Sequence, residues 1–134
     1  MIVVDTNVIG YLFLSNEQSV LAERALLKDN VWAAPILWRS EFRNVLALYM
    51  RKNIITLEQA QQIMNNALKL MKDREYEVPS YEVLRLTSTS NCSAYDCEFV
   101  ATAKDLQVPF VTVDKQLLRE FSSIAISLSS FCKT

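Results

Sequence analysis

The sequence predicts an α/β protein, a mainly parallel sheet of about five short strands with helices over both faces. Three observations predict it. Short β-branched or apolar runs recur roughly every 25–30 residues, the rhythm of strand–helix repeats. Between them lie longer stretches whose apolar residues fall at helical spacing. No repeat, linker or low-complexity segment interrupts the 134 residues, so residues 1–134 read as one domain.

Each element has its own signal. Ile2-Val3-Val4 reads as a short buried strand that breaks into Asp5-Thr6-Asn7. From Thr6 to Leu14, the spacing of Val8, Ile9, Leu12 and Phe13 is helical, and Glu17 to Lys28 continues as a second helix. Val31 to Ala34 is the second strand. Pro35 suits a first helical turn, and Ile36 to Arg51 carries that helix on Leu37, Phe42, Val45, Leu46, Leu48 and Tyr49. Asn53 closes it. Thr56-Leu57-Glu58-Gln59 matches a capping box and opens a helix to about Lys72. Tyr76 to Val78 is the third strand and Ser80 to about Leu86 a short helix, followed by a polar loop from Thr87 to Cys92. Ser93-Ala94-Tyr95-Asp96 opens a helix to Leu106. Pro109 to Val113 is the fourth strand, with proline tolerated at its first position. Asp114 to Phe121 is a short helix, and Ile124, Ile126 and Leu128 alternate as a half-exposed edge strand would.

Composition narrows the chemistry. A hydrophobic share of 51% with 22% charged residues excludes disorder. The net charge of −1 gives no global sign of a polyanion partner, so any nucleic-acid site must be local. No signal peptide is recognisable, because Asp5 interrupts the apolar start, and no apolar run is long enough to span a bilayer. The three cysteines, Cys92, Cys97 and Cys132, form no CxxC pair, which argues against a disulfide framework. A cytoplasmic protein is expected. With no histidine, Cys/His zinc sites and Ser-His-Asp or Cys-His catalysis are excluded. One glycine, Gly10, leaves no phosphate-cradling glycine loop. Carboxylates, hydroxyls, amides and thiols remain.

Carboxylates are placed where parallel sheets build sites, just beyond the carboxyl ends of strands. Asp5 follows the first strand and Asp114 the fourth. Asp96 lies in the first turn of the helix leading to that fourth strand, and Glu41 stands in the third helix between apolar Leu37 and Phe42. Taken singly, Asp5 is equally well a helix cap, Asp96 a first-turn acid favoured by the helix dipole, Asp114 a turn residue and Glu41 a partner for Arg39 or Arg43. Together they make a crowded acidic pocket that a divalent ion would neutralise. All-oxygen ligands select Mg²⁺ or Mn²⁺, and such pockets typically orient water for attack on a phosphodiester. Thr6, Asn7, Ser93 and Thr112 stand beside these acids as polar support.

VVDTN, SEFRNVL, SAYDCEFVATA and PFVTVDKQLL occur in that order along the chain. Together they resemble the PIN-domain family, most closely the single-domain VapC-type toxins of prokaryotic toxin–antitoxin systems. The resemblance spans essentially the whole chain. It implies an α/β/α sandwich and a Mg²⁺- or Mn²⁺-dependent endoribonuclease, partnered by a small antitoxin and forming a homodimer. By position, Asp5, Glu41, Asp96 and Asp114 match the family's catalytic, metal-holding acids. Asn7, Ser93 and Thr112 match its polar neighbours, and Asn44, on the same helix face as Glu41, fits the pattern. Cys97 stands where the family commonly has Ala and reads as a small buried thiol.

Arg39, Arg43 and Lys115 are weaker candidates for contact with RNA phosphates, and Arg51 and Lys52 read as solvated charges. Tyr11-Leu12-Phe13-Leu14 reads as core helix in preference to a partner surface. Three rivals stand beside the nuclease toxin. A catalytically silent PIN-like binding protein would lack a working quartet, and a housekeeping RNA-processing nuclease would share the chemistry. A phosphoacceptor receiver domain needs an Asp after its central strand, where this chain has Pro79-Ser80.

Overall fold

The computed structural model describes Met1 to Thr134. In chain order its elements are β1 (Ile2–Val4), α1 (Thr6–Phe13), α2 (Ser19–Lys28), β2 (Trp32–Pro35), α3 (Trp38–Arg51), α4 (Leu57–Met71) and β3 (Glu75–Tyr76). There follow α5 (Ser80–Ser88), α6 (Ala94–Leu106), β4 (Phe110–Thr112), α7 (Lys115–Glu120), β5 (Ala125–Ser127) and α8 (Leu128–Lys133).

The five strands form one sheet in the order β3-β2-β1-β4-β5, and every pairing is parallel. β1 is central, so its three residues are buried on both faces, which is why they are apolar without alternation. Val3 pairs with Ala33 on one side and Val4 with Val111 on the other. The chain winds outward from β1 to β3, then crosses back to lay β4 against the free side of β1. Winding therefore reverses between β1 and β4, and a crevice opens beyond their carboxyl ends.

α1 to α4 pack on one another, α5 packs on α6 and α7 lies against β5, consistent with the right-handed crossovers of parallel sheets. α6 packs across β1, β2 and β4, while α8 returns to lie against α2, β4 and β5. The core joins both layers to the sheet. Trp32 is fully buried, the rings of Trp38 and Phe42 pack 6.1 Å apart, and those of Phe99 on α6 and Phe110 on β4 stack 5.9 Å apart. Cys97 is fully buried, as expected of a small packing thiol. Tyr11, Leu12, Phe13 and Leu14 all pack against the core. No helix is long and apolar enough to cross a membrane.

The structure corrects several boundaries. Pro35 ends β2 instead of opening α3, paired with Tyr76 where no strand on the β1 side needs its missing N–H. α5 runs through Thr87 and Ser88, whose hydroxyls donate back to Val83 O (2.9 Å) and Arg85 O (2.7 Å). β3 is shorter and earlier than Tyr76–Val78. Leu128 opens a helix instead of ending the edge strand: Ser127 Oγ caps α8 by accepting from Ser130 N, and Leu128 and Phe131 are buried. The capping box at Thr56 and Gln59 forms as read, and Asn53 closes α3 with φ 57°.

Candidate active site

The crevice at the β1–β4 reversal is a cleft of about 250 Å³ lined by Asp5, Thr6, Asn7, Glu41, Asn44, Val45, Asp96 and Asp114. Four separate segments deliver the acids. β1 ends at Asp5, β4 leads to Asp114, α3 brings Glu41 in its first turn, and α6 brings Asp96 in its own.

Each acid is held differently. Asp5 occupies the N-cap position of α1, yet its side chain makes no cap bond. Its Oδ2 instead accepts from Thr112 Oγ1 at 2.6 Å, a contact between residues 107 apart in sequence. The sheet register dictates this, because Asp5 N donates to Val111 O and so sets Asp5 beside Thr112. Thr112, fully buried, also accepts from Asp114 N at 3.1 Å, so one hydroxyl ties both strand ends together. Glu41 Oε1 accepts from Thr6 Oγ1 at 2.7 Å. Asp114 is a true cap: its Oδ1 accepts from Gln116 N and Leu117 N at 2.9 and 3.1 Å. Asp96 is fixed through its backbone, N donating to the N-cap Ser93 Oγ at 3.0 Å. Asp5, Glu41 and Asp114 are thus each anchored through a carboxylate oxygen, and the Ser93 hydroxyl also acts on the Asp96 carboxyl.

The electrostatics are unfavourable for the acids alone. Burial pushes the Asp5 carboxyl above the ordinary carboxylate range; the Thr112 hydroxyl opposes this, and the charges of Asp96 and Asp114 add to it. Glu41 is raised first by burial, and also by the charges of Asp5, Asp96 and Glu98, against the Thr6 hydrogen bond. Asp96 is raised by burial and then by Asp114. An all-oxygen, electron-rich cleft of this kind fits a hard divalent cation. No three of the acids come together as a ready-made cage.

The profile of the PIN domain matches residues 2–123. The chain belongs to the PIN-domain family. It is 25% identical over 126 residues to the ribonuclease VapC3 of Pyrobaculum aerophilum, covering 92% of this chain and 96% of that protein. The fold is shared with the crystal structure of PAE2754 from Pyrobaculum aerophilum, at TM-score 0.77 and 21% identity over 98% of this chain and 93% of that one. It is also shared with FitAcB from Neisseria gonorrhoeae, at TM-score 0.74 and 17% identity over 96% and 99%.

Within this PIN fold, Asp5, Thr6, Asn7, Glu41, Asn44, Asp96 and Asp114 share the cleft, and Ser93 and Thr112 support it from behind. The basic candidates are not on its walls. Arg39 is turned to β3, where Nη2 donates to Glu75 Oε1 at 2.6 Å and Nε to Oε2, in a fork–fork pair. Arg43 donates to Ser40 Oγ at 3.1 Å, and Lys115 is exposed at the start of α7. The sequence reading leaves out Glu98, whose charge reaches Glu41 and whose own carboxyl burial raises. Its signal was a second acid inside the otherwise apolar DCEFVATA run. The reading likewise leaves out Val45, an apolar wall with no signal distinguishing it from core.

Proposed function

We propose that this PIN protein is a metal-dependent endoribonuclease that hydrolyses RNA phosphodiester bonds, the toxin of a type II toxin–antitoxin pair. The observation that carries the reading is the single cleft on which the carboxylates of Asp5, Glu41, Asp96 and Asp114 converge from four segments. The likeness to a protein named ribonuclease VapC3 supports RNA as the substrate class. A small antitoxin and a second copy of the chain are the protein partners in this reading, and the cytoplasm is its compartment.

Asp5, Glu41, Asp96 and Asp114 would hold Mg²⁺ or Mn²⁺. Such an ion supplies a Lewis acid that makes water a better nucleophile and offsets the charge developing on the phosphate. The remaining work belongs to the chain. Thr112 fixes the rotamer of Asp5, and Thr6 that of Glu41. Ser93 anchors the first turn of α6, and with it Asp96. Asn7 and Asn44 are exposed on the cleft wall and can donate amide hydrogens to phosphate oxygens. No histidine is present to act as a general base.

Expression of wild type and Asp96→Asn in a bacterial host tests the reading. Growth arrest and discrete RNA fragments with wild type alone are expected. Equal growth with both, when both accumulate as folded protein, would overturn it.

A further inference from the structure

A second, narrower groove of about 170 Å³ runs from the acidic cleft between α1 and α3, lined by Asn7, Gly10, Tyr11, Leu14, Asn16, Val45 and Tyr49. Asn7 and Val45 belong to both spaces, so the groove is continuous with the cleft. Its walls are two half-buried tyrosines and two asparagines, with no charged side chain.

Gly10 is the feature without an internal explanation. It is the only glycine in the chain and lies inside α1, where glycine destabilises a helix by roughly 1 kcal/mol relative to alanine. Its backbone does not require glycine, since no glycine has positive φ. Its packing does not require glycine either: a Cβ there would meet one outside atom within 4 Å, Phe42 Cε1 at 3.8 Å, an ordinary contact. Gly10 is buried, a Cβ there would face the core ring of Phe42, and the residue also borders the groove.

We propose that this groove seats one nucleobase of the RNA, next to the phosphate in the acidic cleft, with Tyr11 and Tyr49 as its stacking walls. The proposal rests on the ribonuclease reading. Single-stranded RNA is bound by stacking bases on aromatic rings and by hydrogen bonds to their edges, and the groove offers both through its tyrosines and through Asn7 and Asn16. The size suits one planar base and excludes a helix. The absence of cations in the groove agrees with a base, not a phosphate, as occupant. Asn7 at the junction touches both base and phosphate.

The test is cleavage of a randomised pool of short single-stranded RNA with Mn²⁺, read by sequencing the cut ends. Wild type is expected to show a base preference at one position beside the cut, which Tyr49→Ala flattens and Tyr49→Phe keeps. On the preferred sequence, Tyr49→Ala and Tyr11→Ala should each raise KM ~10-fold, and an abasic residue at that position should erase the difference. If wild type cleaves with a preference that all of these variants retain, the groove does not hold a base and is left to a protein segment. If wild type neither binds nor cleaves the pool, the ribonuclease reading fails and the inference with it.

Discussion

Replacing Thr112 with valine isolates the hydroxyl that joins the two strand ends. The shape is conserved and the site is fully buried, so no solvent replaces what is lost. Removed are the 2.6 Å bond to an ionised Asp5, worth about 1.5–3 kcal/mol, and the 3.1 Å bond from Asp114 N, worth about 1 kcal/mol. The added methyl returns up to about 0.8 kcal/mol of burial. The net loss is about 2 kcal/mol, or roughly 8 °C in Tm for a chain of this size. The pH dependence is the sharper signature. The Thr112 bond favours the ionised Asp5, so its loss lifts the carboxyl further above its usual range. The deficit is then full above the folded-state pKa of Asp5 in both proteins and shrinks as acid protonates it. Thr112→Ser, which keeps the oxygen, should fall by about 1 kcal/mol from the lost methyl with no such pH dependence. Thermal melts between neutral and mildly acidic pH measure this. Equal stability at pH 7, or a deficit that pH does not change, refutes Thr112 as the support of Asp5.

Asp96→Asn should stabilise the metal-free protein at neutral pH by less than about 1 kcal/mol, after solvent screening, because it removes one of several repelling charges. Asp96 has a raised folded-state pKa, so its penalty is full above that pKa and is relieved as pH falls; the variant's advantage should vanish on acidification. Mn²⁺ should raise the wild-type Tm, by an amount equivalent to about 2.7 kcal/mol at a hundredfold excess over Kd, and should raise that of Asp96→Asn far less. Glu75→Gln should cost about 1 kcal/mol in urea unfolding at pH 7, discounted because Arg39 is 40% exposed. Arg39 holds the Glu75 carboxyl below its ordinary 4.5, so this contribution is present above that pH and is lost as pH falls through the lower folded value. Ser93→Ala should remove about 1 kcal/mol by uncapping α6, seen in the Tm, and should also lower RNA cleavage by loosening the turn that carries Asp96.

The sheet was legible because interior parallel strands write themselves as unbroken apolar runs, and Ile2-Val3-Val4 and Phe110-Val111-Thr112 end where their acids begin. That placement makes the cleft readable from the sequence. Helix ends were less so. α8 depends on Ser127 capping and on two buried side chains three apart, a pattern too short to stand out from an alternating strand. Pro35 was misread because its ring fits a helix start and a strand end equally well, and only β3 decides between them. Arg39 was offered to phosphate because its partner Glu75 is 36 residues away on a two-residue strand, a pairing no local pattern announces. Asp5 and Asp114 show the same limit from the other side. Both stand at N-cap positions, and only the register around Thr112 gives one side chain to the cap and the other to a hydroxyl.

The return of β4 to the side of β1 also sets a clock. The strand and hydroxyl that orient Asp5 come more than a hundred residues after it in the chain. Until β4 has been made and has closed against β1, the cleft lacks one wall, and pairings of such long sequence separation form late. A chain that has formed only its first three strands carries Glu41 already held by Thr6, but Asp5 without the hydroxyl that orients it. The harmful activity proposed for this protein would therefore switch on as an all-or-none event when β4 closes.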